Sequence, residues 1–305
     1  MHMIAGLLLA VAPIIFAPGV LSTGDDESHP AFTPDGKTIY FIKNSPDFSF
    51  WTICLSRQVD GKWTTPEVAP FSGQYRDADP FITADGKHFL FISGRPFSDA
   101  PKRDLDIWIM DRQPDGAWGE PHRAGGDINS DTNEWFPTMT SDGTLYFGSE
   151  RSGGKGGVDI WMSKLVDGKY TPAENLGAAI NSEANEYEPY VTPDGSAMVV
   201  AVEGRADSLG GFDLYVSTHT AEGWTPLKNA GAPVNSPFWD FAPKLSPDGK
   251  TFYFASNRRT QRGPRAKKLS YGELLEQIRG AGNGLRDIYA VEADVILSAA
   301  KDLRR

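Results

Sequence analysis

The chain has 305 residues, 40% of them hydrophobic, and a net charge of −10, enough apolar content for one large domain or two ordinary ones. The acidic balance argues against nucleic acid, whose binders present a basic footprint. A single cysteine, Cys54, excludes an intramolecular disulfide, and its apolar neighbours in FWTICLS mark it as a buried strand residue.

The first stretch, MHMIAGLLLAVAPIIFAPG, holds an apolar run too short to span a bilayer and of the length of a signal-peptide core. Ala10 to Ala12 offer a small-x-small cleavage site. Residues 1–12 are therefore expected as a signal peptide, and the protein as periplasmic or secreted. No Lys or Arg precedes the run and Pro13 would follow the cut, so a mis-assigned start or an unprocessed buried strand is the alternative. No other segment is apolar enough to span a membrane.

From residue 26 onward the chain repeats. Asp-Gly pairs fall at 35–36, 85–86, 142–143, 194–195 and 248–249, at intervals of 50 to 57 residues. Each is a tight-turn signal between apolar runs. In every unit a short segment after Pro leads into the turn, and a β-rich run such as TIYFI, HFLFI, TLYFG or TFYFA follows. A Gly-rich loop then precedes a third strand, DIWIM, DIWMS, DLYVS or DIYAV. A second turn (DGKW, DGAW, DGKY or EGW) leads to a short fourth strand. Four strands per unit, repeated radially, are propeller blades.

Five such units exist, and the fifth stops after its third strand. The segment IIFAPGVLSTGDDE aligns in frame with ENLGAAINSEANE, the link between two other units. The N-terminal segment, about Ile14 to Ala17, should then supply the missing strand and hide an otherwise open edge. The expected fold is all-β, a five-bladed β-propeller of four-stranded blades spanning 13–296. Residues 259–286 form an insertion in the last blade, and 297–305 a C-terminal tail.

The motifs FTPDGK, LSPDGKTFYFASNR and GGVDIW resemble the PD40 repeat, the WD40-like repeat of TolB-like propellers, over about Ile14 to Ile296. The resemblance implies a propeller of a mostly periplasmic or secreted family. TolB carries a further α/β domain that has no room here, so a Tol–Pal role is not implied.

Strand order puts the Asp-Gly turns at the bottom of the ring and the interblade links and Gly-rich loops at the top, where binding residues are expected. Three residues before each repeat's Pro stands an acid: Glu27, Asp77, Glu134, Glu186 and Asp240. Such a ring of carboxylates needs cations or arginine partners, or backbone N–H groups in the links. Arg95, Arg151, Arg205 and Arg258 follow the second strands, and Asp106, Asp159, Asp213 and Asp287 open the third. Unit one lacks both, with Ser45 and Trp51 in their places, so the arginines are expected to pair with the third-strand acids within each blade. The ring acids then remain candidate ligand-binding residues. Trp135, Tyr187 and Trp51, with Phe241, Trp239, Phe48 and Phe50 nearby, suit stacking against sugar rings or packing of blade on blade. Trp63, Trp118, Tyr170 and Trp224, after the bottom turns, are expected to be structural.

The insertion RTQRGPRAKKLSYGELLEQIRGAGNGL departs from the repeat. SYGE fits a capping box at Ser270 and Glu273, with Leu274, Leu275 and Ile278 as an apolar stripe and Gly280 as the stop. Between Arg258 and Arg286 eight basic residues face two acidic ones, so the rest of the chain carries −16. This basic helix is expected either to gate the top pocket or to pack over the seam with blade one.

No G-x-S-x-G with a partner His, no H-E-x-x-H and no P-loop is present. Asp127 to Glu134 resembles the start of a Ca²⁺ loop but lacks its Gly and Glu. No cofactor or metal is implied. The favoured expectation is an exported, non-enzymatic, monomeric propeller that binds a peptide, protein or carbohydrate on its top face. A glycoside hydrolase using carboxylates at the top of the channel and a purely structural interaction scaffold are the alternatives.

Overall fold

The computed structural model describes residues 12–97, 104–260 and 263–301; residues 1–11 of the expected signal segment and 302–305 of the tail lie outside them. Five antiparallel sheets of four main strands are arranged as the blades of a propeller. Blade 1 runs through Asp26–Phe32, Thr38–Asn44, Trp51–Val59 and Glu67–Val68. Blade 2 uses Asp77–Ile82, His88–Ser93, Asp106–Asp111 and His122–Arg123. Blade 3 uses Glu134–Met139, Leu145–Ser149, Asp159–Ser163 and Glu174–Asn175. In blade 4 the strands are Asn185–Val191, Ala197–Glu203, Phe212–Thr220 and Lys228–Asn229.

Blade 5 takes Asp240–Leu245, Thr251–Ser256 and Asp287–Glu292 from the end of the chain and Ile14–Ile15 from its start. Ile14 pairs with Ala290 and Ile15 with Tyr289, and the N–H of Phe16 donates to the carbonyl of Ile288 at 2.8 Å. The ring therefore closes by a strand from the opposite terminus, as the in-frame alignment of residues 14–27 requires.

Local chemistry explains the repeat. At each bottom turn a hydroxyl and the turn Asp lock together: Thr33 Oγ1 donates to Asp35 Oδ1 at 2.6 Å, which also accepts from Lys37 N. Gly36, at φ 68°, takes the left-handed position that the turn needs. Phe41, Phe89, Phe91, Phe147, Phe252 and Phe254, all on second strands, are fully buried between blades. The aromatics after the bottom turns reach back to the preceding blade. Trp118 Nε1 donates to Tyr40 Oη at 3.1 Å, Trp224 lies edge-on to Tyr146, and Trp63 packs on Phe16, which follows the closing strand of blade 5. Cys54 is buried in its strand.

Helix α1, Tyr271–Arg279, starts at the capping box of Ser270 and Glu273 and stops at Gly280. None of its residues is buried. A second helix, α2 (Asp294–Lys301), begins at the end of the expected propeller span, runs into the expected tail and buries Ile296 in the core. Among the described residues no helix is long and apolar enough to cross a membrane.

Candidate functional site

The five ring acids are all fully buried, and their oxygens are occupied. Glu134 accepts from Ser130 N, Ser130 Oγ, Ser149 Oγ and Arg151 Nη2, the last at 3.1 Å. Asp240 is held in the same way by Ser236 and Arg258, and Asp77 by Ser72, Ser93 and Arg95. Glu186 binds the N–H and hydroxyl of Ser182. Glu27 binds Thr23 and, in place of an arginine, Lys43 Nζ at 3.0 Å. Burial pushes the carboxyls of Glu134, Glu186 and Asp240 upward against these donors. Each acid ties its own blade to the preceding link.

The expected pairing of arginines with third-strand acids is corrected by these contacts. Arg95, Arg151 and Arg258 reach Asp77, Glu134 and Asp240, while Arg205 meets Asp207 at 3.4 Å. Asp106 is held by Arg123 in a bidentate pair. Asp159 and Asp213 instead accept backbone N–H groups of the Gly-rich loops, from Lys155 and Gly156 and from Leu209 and Gly210, and Asp287 accepts from Gly282. In blades 3, 4 and 5 the third-strand acid is a loop clamp: a carboxylate at the start of a strand is nearest the N–H groups of the loop that enters it. The loss of the arginine in unit one has another basis, since Lys43 stands directly opposite Glu27 in the sheet and pairs with it.

The top of the channel is set by a position the acid pattern does not reveal. Two residues after each ring acid, immediately before the repeat's Pro, stand His29, Asp79, Phe136, Glu188 and Ala242. Four of the five have positive φ, between 41° and 54°, and every innermost strand is irregular in register at this point. A bulge of this kind re-aims a side chain, and positive φ in a bulky residue is strain that tends to be kept at sites with a task.

Three of these residues form one cluster. His29 Nε2 lies 3.2 Å from Asp79 Oδ1 and 3.1 Å from Glu188 Oε1, and Nδ1 lies 2.8 Å from Ser28 Oγ. Asp79 also accepts from Phe136 N and Glu188 from Ala242 N, so blades 1 to 5 are joined across the axis. Burial works to lower the His29 pKa, but the two carboxylates overcome it and hold the imidazole above its ordinary 6.5. Burial raises Asp79 to about 6, with His29 opposing and Glu188 adding to the shift.

Above the cluster is a cavity of about 300 Å³. His29, Asp79 and Glu188 line it with a nearly continuous band of aromatic rings. Trp51 and Trp135 centroids are 6.1 Å apart, Trp135 and Tyr187 6.2 Å, Tyr187 and Phe212 5.5 Å, and Phe212 and Trp239 5.5 Å. Gly211 makes room for the last of these, since a Cβ there would fall 2.3 Å from Trp239 Nε1. Arg286 stacks on Phe48 at the rim and donates to Asp26. Two buried polar atoms of lining residues, Trp51 Nε1 and Asn44 Oδ1, have no hydrogen-bond partner. The candidates Trp51, Trp135 and Tyr187 thus come together in one wall, while the ring acids lie behind it.

Apart from Arg286, the described residues of the insertion do not line this cavity. The backbone of Arg279 lies against Gly24, and Asn283 Nδ2 donates to the carbonyl of Gly24 at 3.0 Å, so α1 packs over the link into blade 1.

No family model matches the sequence, and no curated protein matches it significantly. Solved structures resemble it in fold. A protein from a BT0996 RGII complex is 10% identical with a TM-score of 0.57, and the match covers 93% of this protein and 91% of that one. Bacteroides ovatus Xyloglucan PUL GH43B is 14% identical with a TM-score of 0.46, over 78% of this protein and 49% of that one. A prolyl endopeptidase is 13% identical with a TM-score of 0.41; the match takes in 76% of this protein, which spans 31% of the endopeptidase's length. At 10% identity the likeness to the first of these, with its TM-score of 0.57, shows the fold alone.

Proposed function

We propose that the protein is a carbohydrate-binding propeller, with sugar rings stacked in the aromatic cavity and their hydroxyls bonded to the His29–Asp79–Glu188 floor. The aromatic band closing over a polar floor carries this proposal. Aromatic faces bury the C–H faces of a sugar at little conformational cost, and a few fixed polar groups then set orientation. The unpartnered Trp51 Nε1 and Asn44 Oδ1 supply one more donor and one more acceptor. The volume of about 300 Å³ suits one or two sugar residues of a longer chain. We further propose that the chain belongs with the PD40 propellers of the periplasm or the cell exterior, from its PDG, S-x-R and DIW motifs and its N-terminal apolar run.

Titration with oligosaccharides of defined length tests the proposal. Saturable binding to the wild type, lost in Trp135→Ala and Tyr187→Ala, is expected. Binding that survives both substitutions would remove the cavity from consideration.

A second proposal, glycoside hydrolysis, is favoured by one observation. Asp79 and Glu188 share a histidine nitrogen, at 3.2 and 3.1 Å, so their facing oxygens are at most about 6.3 Å apart, a bound that admits the roughly 5–5.5 Å of a retaining carboxylate pair. Against it, each carboxylate also accepts a backbone N–H, which holds it in place and occupies an oxygen. Release of reducing ends that vanishes in both Asp79→Asn and Glu188→Gln would establish hydrolysis. Binding without release establishes the non-enzymatic site.

A further inference from the structure

Two residues beyond the His29 layer, each innermost strand presents a further residue, and these are Ala31, Phe81, Thr138, Tyr190 and Lys244. Lys244 is buried, with 6% exposure. Its ammonium lies 4.2 Å from the ring centroid of Phe81, 5.1 Å from that of Tyr190 and 5.5 Å from that of Phe136. Its Nζ meets no hydrogen-bond acceptor. Three rings attract a cation through their faces, but they satisfy none of the three directional N–H donors of an ammonium. The neighbouring Thr138 hydroxyl is already donated to the carbonyl of Pro189 at 2.7 Å. The charged and titratable groups facing Lys244 are Asp79, which attracts it through space from the layer above, and the Tyr190 phenol, which burial holds protonated.

Lys244 also lines a cavity of about 190 Å³ at the bottom end of the channel. Phe32, Phe81 and Tyr190 wall it, and Pro34 and Pro247 of the exposed Asp-Gly turns form its mouth. An apolar cavity of roughly 150 Å³ is enough to take a benzene ring. A planar group fits here, beside a cation that lacks an acceptor.

We infer that the bottom mouth of the channel is a second ligand site, which takes a small aromatic carboxylate with its ring against Phe81 and Tyr190 and its anionic head on Lys244 Nζ, which these rings screen from solvent until the ligand enters. The site is separate from the aromatic cavity of the top face and does not depend on its proposed function. The anion completes the donors of the ammonium, and the prolines and phenylalanines of the mouth cover the ring. Burial lowers the Lys244 pKa to about 7, so the free amine is largely neutral at pH 8. A bound carboxylate favours the charged form, so binding above pH 7 takes up a proton and weakens as pH rises.

Calorimetric titration of the full chain with benzoate, benzamide and acetate tests this. Benzoate is expected to bind about tenfold or more tighter than benzamide, which has the shape without the charge, and tighter than acetate, which lacks the ring. At pH 8 the heat should depend on the ionisation enthalpy of the buffer in the sense of proton uptake. Lys244→Met should abolish benzoate binding while the circular dichroism stays unchanged, and Trp135→Ala should leave it intact. Equal affinity for benzoate and benzamide, no heat with benzoate, or benzoate binding retained in Lys244→Met would each overturn the inference, as would its loss in Trp135→Ala. Should Lys244→Met fail to fold, the wild-type protein decides alone: benzoate binding without proton uptake at pH 8 overturns it.

Discussion

The ring acids and the residues two positions further along the same strands differ in a way that separates scaffold from site. At the first position every blade carries a carboxylate, every carboxylate is fully buried, and every one is met by a hydroxyl of the link or neighbouring strand. At the second, five blades supply His29, Asp79, Phe136, Glu188 and Ala242, held in bulged backbone around the axis. A demand that every blade shares, the tying of one blade to the next, gives the same residue five times. A ligand without fivefold symmetry is served where equivalent positions are filled differently. In this propeller the departures from the repeat carry more functional information than the repeat does.

The largest expected effect tests the first half of that contrast. Asp240→Ala leaves the buried Arg258 without its carboxylate and should cost about 3–5 kcal/mol in urea denaturation, with ligand binding retained at temperatures where the fold persists. A loss below about 1 kcal/mol would mean that the ring is not what holds the blades.

Next comes the pH dependence of the cluster. Asp79 is raised from 3.8 to about 6, so the folded state holds a proton that the unfolded state has released. Stability therefore falls as pH rises across that window, and the raised His29 continues the fall above 6.5. Asp79→Asn removes the contribution of the carboxyl, so the variant should gain on the wild type between about pH 4 and 6. A stability difference that is flat over this range would show that Asp79 titrates as an ordinary carboxyl.

Trp135→Ala probes the wall instead of the floor. It should weaken oligosaccharide binding by about tenfold or more, close to 1.4 kcal/mol, while changing the melting temperature little, because the indole is only half-buried. Equal losses of stability and affinity would make the aromatic band a packing feature.

The smallest effect sharpens the comparison from inside the repeat. Arg205 pairs with the exposed Asp207 at 3.4 Å, unlike Arg258 on Asp240. Arg205→Ala should therefore cost no more than about 1 kcal/mol, against several for Arg258→Ala. Equal costs would show that sequence position in the repeat, and not the observed pairing, decides the contribution.

The repeat and its turns were legible in the sequence because they are local. Thr33 to Asp35 and its counterparts bond within two residues, and the strand pattern follows from alternation in short windows. The closing strand at Ile14 was legible too, since the link after it keeps the frame of the other links. Cluster formation was not. His29, Asp79 and Glu188 are separated by 50 and 109 residues, and each looks like an ordinary residue before a proline. The one available signal was that this position varied while its neighbours three residues before the proline did not.

The arginine partners were misread for a related reason. Covariation of Arg and Asp between units implied a contact, yet Lys43 had taken over the role of the arginine from the strand itself, one place that an in-line comparison of units does not show.

From the sequence alone come the five blades, their order, the turns that end their strands and the cap of α1, because turn chemistry, alternation and capping act over a few residues. Which carboxylates are spent on the scaffold, that three titratable groups meet over the axis, and that Lys244 sits among rings without an acceptor were decided by closure of the ring. Only closure brings side chains of different blades together across the axis, His29 to within 3.2 Å of Asp79 and 3.1 Å of Glu188, and charges take their character from that distance and from the water it excludes.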